Sequence, residues 1–246
     1  MKGKGVKPNA VTHNIMVKWY CKEGKMDEAG CVLAKMVKSG FSPDCFTYNT
    51  MINGYCKAGN LGEAFKMMDE MGRKGLKIDT FTLNTIVHKL CVEKLLKEAY
   101  ELPVKATKRG YILDEVTYGT LIMGYFKNDQ TNKALKLWDE MKEKEIIPSV
   151  VTYNTIIRGL CHSLKTDQAV DKLNELLDKG KSIDAVTYNT LISVLCKEGK
   201  LDEAFDLMTE MEKKNWGRTD ILILPSLVHL LMLGELRKQR NSCQNS

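Results

Sequence analysis

Residues 151–155 read Val-Thr-Tyr-Asn-Thr, and the same five positions return 35 residues later as Val186-Thr187-Tyr188-Asn189-Thr190. Counting backwards by 35 gives Val116-Thr117-Tyr118-Gly119-Thr120, Phe81-Thr82-Leu83-Asn84-Thr85, Phe46-Thr47-Tyr48-Asn49-Thr50 and Val11-Thr12-His13-Asn14-Ile15. A fixed period of roughly 20–50 residues marks a stacked array of like units. Six units fill residues 10–219 without insertion or deletion, as 10–44, 45–79, 80–114, 115–149, 150–184 and 185–219.

The unit 150–184 shows what each repeat is. Tyr153, Ile156, Ile157, Leu160 and Cys161 recur on one face of a helix, with Thr152 at the expected N-cap. A break at Ser163–Thr166 precedes a second stripe, Ala169, Val170, Leu173, Leu176 and Leu177, with Asp167 as its expected cap and Gly180 at its end. Neither helix can cover its apolar face alone. Stacking of neighbours covers both, so the fold class is all-α: an α-solenoid superhelix of antiparallel helix pairs, six 35-residue repeats with partial repeats at both ends. Residues 1–9 match the end of a preceding partial repeat, 220–237 form a C-terminal partial repeat or capping helix, and 238–246 form a disordered polar tail. Alanine holds one register of the second helix six times, at Ala29, Ala64, Ala99, Ala134, Ala169 and Ala204, which predicts a close helix–helix approach. Pro103 falls inside the second helix of the third unit and should kink it or remove a hydrogen bond.

Composition narrows the function. The apolar fraction of 43% suffices for a packed core, and 37 basic against 31 acidic residues leave a formal charge of +6, which permits a polyanionic partner without requiring one. Of eight cysteines, Cys21, Cys56, Cys91, Cys161 and Cys196 share one register, where Phe126 takes the place in the remaining unit. Each sits alone on its own helix and exchanges with Phe, so the set reads as small core hydrophobes in a reducing compartment rather than a disulfide or zinc framework. No targeting peptide is visible, and the longest apolar run, Ile221 to Leu233, is too short for a bilayer.

Numbering each unit from 1 to 35 with Val150 as position 1 of the fifth, positions 2, 5, 9 and 13 cluster on the first helix opposite the core stripe at ~100° per residue. Position 5 is Asn14, Asn49, Asn84, Gly119, Asn154 and Asn189, and asparagine there adds nothing to the core. Position 35 is Asp44, Asp79, Asp114, Ser149, Asp184 and Thr219. An early-helix Asn also suits local capping, and an acid before a helix suits its dipole. The alternative is an Asn and an Asp brought together at every repeat boundary to read one ligand edge. The apolar position 2 (Val11, Phe46, Phe81, Val116, Val151, Val186) would then pack on base faces.

The unit Val-Val-Thr-Tyr-Asn-Thr-Ile-Ile, followed by Gly-Leu-Cys, Asp-x-Ala and Gly-x-x-x-Asp, resembles the pentatricopeptide repeat (PPR) family over residues 1–237. The resemblance implies a right-handed superhelix that binds single-stranded RNA, one base per repeat. It implies the pure-repeat class, which stabilises, processes or helps translate organellar transcripts, with the mitochondrion ahead of the chloroplast. By the same resemblance, positions 5 and 35 specify the base, Asn with Asp implying uracil. Asn14/Asp44, Asn49/Asp79, Asn84/Asp114 and Asn154/Asp184 match, Asn189/Thr219 implies a pyrimidine, and Gly119/Ser149 little discrimination. The implied register is 5′-U-U-U-n-U-Y-3′. Lys22, Lys57, Lys127 and Lys197 at position 13 would approach phosphates, as against an ordinary solvated face.

Other readings fare less well. His13, His88, His162 and His229 begin no H-x-E, and no C-x-x-C occurs, so a zinc deaminase is not encoded and neither an enzyme nor a cofactor is expected. A protein-binding scaffold within a larger assembly, or a truncated fragment with weak RNA binding, are the alternatives to a monomer that binds RNA without a membrane.

Overall fold

The computed structural model describes residues 8–107, 111 and 113–213. Among them lie twelve α-helices and no strand: α1 Ala10–Lys22, α2 Met26–Lys38, α3 Cys45–Lys57, α4 Leu61–Arg73, α5 Thr80–Val92, α6 Leu96–Thr107, α7 Glu115–Lys127, α8 Thr131–Glu143, α9 Val150–His162, α10 Thr166–Leu177, α11 Ala185–Lys197 and α12 Leu201–Lys213. The chain is an all-α helical repeat solenoid. It divides into two compact units, Met1–Gly124 and Tyr125–Ser246, with the division inside α7. The expected partial repeats at 1–9 and 220–237 and the tail at 238–246 lie outside the described residues, save Pro8 and Asn9.

Each first helix starts one residue after position 35, and that residue, not the expected Thr, is the N-cap. The side chains of Asn9, Asp44, Asp79, Ser149 and Asp184 accept from the backbone N–H of Thr12, Thr47, Thr82, Thr152 and Thr187. The cap precedes the amide it accepts from, here by three residues, so Thr152 is the donor of the pair and Ser149 the cap. Second helices begin less uniformly, Asn60 capping α4 through the Glu63 amide at 3.1 Å. Lys165 rather than Asp167 precedes α10 and makes no side-chain cap bond; Asp167 sits in the first turn, where an acid suits the helix dipole. Each hairpin turns through a left-handed residue at position 15, glycine at Gly24, Gly59 and Gly199 but Lys94, Asp129 and Leu164 in the other units.

Packing within each unit follows the repeat. In the first, α1 packs on α3 and α3 on α5; in the second, α9 packs on α11. Ala29, Ala64, Ala99, Ala134, Ala169 and Ala204 are all fully buried, as close approach requires. A second small-residue register joins successive first helices. A Cβ on Gly54 would lie 2.9 Å from the Cys21 sulfur, one on Gly124 would overlap Cys91, and one on Gly159 would overlap the Phe126 ring. The position-12 side chain of one repeat thus fills the notch left by the position-10 glycine of the next. The five register cysteines are buried and form no disulfide, and burial pushes the Cys21, Cys56 and Cys91 thiols up to about 11 and that of Cys161 to about 12. They serve as small hydrophobes. Pro103 is buried and α6 runs through it from Leu96 to Thr107, so the proline removes one backbone donor without ending the helix.

Candidate nucleic-acid interface

At position 35 the aspartate does two jobs with two oxygens. Oδ1 of Asp44, Asp79 and Asp184 caps the following helix at 2.8, 2.7 and 2.8 Å. Oδ2 of the same residues accepts from the Nδ2 of Asn14, Asn49 and Asn154 of the preceding helix, at 3.4, 2.6 and 2.8 Å. The capping and the pairing read as alternatives in the sequence are therefore simultaneous. Burial pushes the Asp44 carboxyl up, but the Thr47 amide and hydroxyl, its own N–H and Asn14 outweigh burial and hold it below the ordinary value. Being ionised, it can only accept, so the facing end of each asparagine must be its NH2. The carboxamide is thereby given a fixed direction.

The junctions are not equivalent. Asn84 carries the same combination with Asp114, yet neither its Oδ1 nor its Nδ2 has a partner, and it is 8% exposed. Asp114 keeps the cap, accepting from the Thr117 amide at 2.9 Å. Asn49 is also buried, at 9%. The expectation that position 5 stays clear of the core is thus corrected for these two, and for Asn49 the following repeat boundary supplies the contact through Asp79. Asn189 is half-buried and its expected partner Thr219 lies outside the described residues. Gly119 offers no side chain, and Ser149 spends its hydroxyl on capping α9 at 3.3 Å.

Beside this row the position-2 side chains are exposed in every repeat: Val11 63%, Phe46 48%, Phe81 73%, Val116 55%, Val151 72% and Val186 55%. Apolar side chains held outward at one register, six times, match no packing need. Lys22, Lys57, Lys127 and Lys197 are exposed and form no ion pair among the described residues. Val92 and His162 hold that position in two repeats. No group of His, Cys, Asp or Glu among the described residues could hold a metal ion, and no described helix is long and apolar enough to cross a membrane.

Two features escaped the sequence reading. Thr47, Thr82, Thr117, Thr152 and Thr187 at position 3 are buried at these junctions, at 0–2% exposure; their recurrence in all six units was the available signal. Away from the junctions, Tyr48 donates to Glu70 at 2.6 Å and Tyr153 to Glu175 at 2.8 Å, with Lys74 and Lys179 four residues beyond each glutamate. The Tyr–Glu–Lys spacing repeats, but it spans two helices and no single-helix pattern displays it.

The PPR repeat family matches residues 8–57, 43–92, 113–162, 148–197 and 183–217. The chain belongs to the PPR repeat family. The stretch left between the matches, 93–112, contains α6 and Pro103. No curated protein matches by sequence. Among solved structures, the PPR protein PPR10 from maize is similar at a TM-score of 0.66 and 21% identity, over 96% of this chain and 38% of its own. PPR10 in complex with an 18-nt psaJ RNA element is similar at 0.63 and 24%, over 96% and 34%. The PPR domain of Arabidopsis thaliana protein-only RNase P 1, in complex with tRNA, is similar at 0.61 and 15%, over 76% and 98%. The chain thus spans little more than a third of PPR10. At these identities the likeness is one of fold.

Proposed function

We propose that this chain binds single-stranded RNA along its first helices, one base per repeat, with a preference for 5′-U-U-U-n-U-Y-3′. The observation that carries the reading is the Asn–Asp hydrogen bond at the Asn14, Asn49 and Asn154 junctions, set beside an exposed apolar side chain. With Nδ2 committed to the aspartate, the asparagine retains one N–H and its carbonyl oxygen. Uracil presents an N–H donor between two carbonyl acceptors, and an amide of fixed direction meets that edge with one donor and one acceptor. Position-2 side chains would hold the base faces, a base stacked on the Phe46 or Phe81 ring contributing about 1–3 kcal/mol. The free lysines at position 13 supply phosphate contacts, which makes binding fall with salt. Two of the similar structures hold RNA, one of them a tRNA. By family resemblance the RNA is an organellar transcript, mitochondrial before plastid.

Titration with fluorescent 5′-UUUAUU-3′ inside a neutral strand, against a strand with the first three U replaced by A, tests the reading. The U strand should bind more tightly at two salt concentrations. Equal binding of both strands, abolished by salt, would show a surface that sees phosphates only.

A further inference from the structure

We infer that the threonine at position 3 of the following repeat is a positioning residue of the base-reading site, and that the partner its hydroxyl takes decides how strictly each asparagine reads. The inference rests on the proposed base-reading function. At the first junction the Thr47 hydroxyl lies 2.7 Å from Asn14 Oδ1 and 2.8 Å from Asp44 Oδ1, and it is fully buried. Asn14 is therefore held at Nδ2 by Asp44, and its Oδ1 shares the single hydroxyl hydrogen of Thr47 with Asp44 Oδ1. Its carboxamide cannot turn over without placing an oxygen against the Asp44 carboxylate and giving up the hydrogen that the Thr47 hydroxyl offers to Oδ1.

Turning over is what would blur the reading. Uracil offers donor and acceptor in one order along its edge and cytosine in the reverse order. A locked amide accepts from uracil N3–H and donates to a uracil carbonyl; a flipped one suits the cytosine N3 acceptor and its amino donor. The second junction routes the hydroxyl elsewhere: Asn53 Nδ2 donates to Thr82 Oγ1 at 3.1 Å, and Asn49 Oδ1 has no partner, leaving Asn49 held by Asp79 alone. At the third, Thr117 Oγ1 donates to Asp114 at 2.7 Å and meets the Tyr111 hydroxyl at 2.8 Å, and Asn84 is held by neither residue. The fifth uses a different lock. The Asp184 backbone N–H approaches Asn154 Oδ1 at 3.4 Å, while the Thr187 hydroxyl has no partner. Three repeats with an identical Asn–Asp pair thus differ as readers, in the order first, second, third.

Thr47→Val and Thr187→Val separate this from a general effect of the substitution, since they sit at the same position with opposite wiring. Affinities are measured for strands with U or C at the first base and, separately, at the fifth. We expect Thr47→Val to lower the U-over-C ratio at the first base about fivefold, the worth of one neutral hydrogen bond, and to leave the fifth unchanged. Thr47→Ser should restore it, and Thr187→Val should leave the fifth-base ratio at the wild-type value. An unaltered first-base ratio in Thr47→Val, or an equal loss at the fifth base in Thr187→Val, overturns the inference. Should Thr47→Val not fold, Thr47→Ala removes the hydroxyl without adding bulk beside Asp44 and carries the same expectation. A wild-type chain that does not prefer U at the first base would instead overturn the base-reading proposal itself, and this inference with it.

Discussion

Asp79 stands between two helices and serves both: its Oδ2 accepts from Asn49 of α3 at 2.6 Å while its Oδ1 accepts from the Thr82 amide at the start of α5 at 2.7 Å. Helix capping and asparagine orientation are thus carried by one carboxylate, and a substitution can divide them. Ser149 shows how, since it caps α9 with a hydroxyl that has no second oxygen. Asp79→Ser should keep the cap but leave the buried Asn49 NH2 without its acceptor, at about 1–3 kcal/mol, and Asp79→Ala should cost about 1 kcal/mol more through loss of the cap. Both should lose preference for U at the second base. Denaturant midpoints with paired RNA titrations check this, and retained U preference in Asp79→Ser would refute the role given to Oδ2.

Phe81 projects from α5 with 73% of its surface exposed. Truncation removes little buried area, so Phe81→Ala should melt close to wild type. If the side chain covers a base face, affinity should fall by about 1–3 kcal/mol, roughly 5- to 150-fold, for any base at that place. Unchanged RNA affinity with unchanged stability would remove position 2 from the binding surface.

How much of this was legible beforehand depends on how far a residue's partner lies along the chain. The helix pairs follow from apolar spacing within about fifteen residues, and the 35-residue period fixed which positions are equivalent. The cap was misplaced by three residues because Thr152 recurs in every unit whereas its partner varies between Asn, Asp and Ser. Burial of Asn49 and Asn84 was hidden because a helical wheel of one repeat contains nothing of its neighbours. The failure of Asn84 to meet Asp114 is likewise invisible in a pair of letters identical to the pairs that do meet. What the sequence cannot display is the routing of single hydrogen bonds between repeats.

Gly159 receives the Phe126 ring so closely that a Cβ would overlap it. Gly159→Ala should therefore destabilise the chain by about 1–3 kcal/mol, the usual cost of overpacking. Phe126→Cys restores the side chain that five other repeats carry at that position and opens the space. The double variant Gly159→Ala/Phe126→Cys should recover part of the loss, a coupling that a double-mutant cycle in urea measures. Strictly additive losses would show that the notch is not where the strain lies.

Glu175 gathers Tyr153, Lys142, Lys179 and Lys172 around one carboxylate at 2.8–3.3 Å. Burial pushes its carboxyl up, but the bonds from Lys142, Tyr153 and Lys179 outweigh it and bring it down to about 2, from an ordinary 4.5. A carboxylate depressed in the folded chain stabilises it fully above its unfolded value and loses that contribution as pH falls through the folded one. The relevant window therefore runs from about 4.5 down to about 2. Glu175→Gln keeps an acceptor for Tyr153 but leaves three lysines unneutralised. At neutral pH it should unfold at lower urea by about 1 kcal/mol, allowing for solvent screening of a partly exposed group. Between pH 5 and 2 the wild-type chain should lose stability faster than the variant, so that the two converge. Parallel decline over that range would place the acid sensitivity of the array elsewhere.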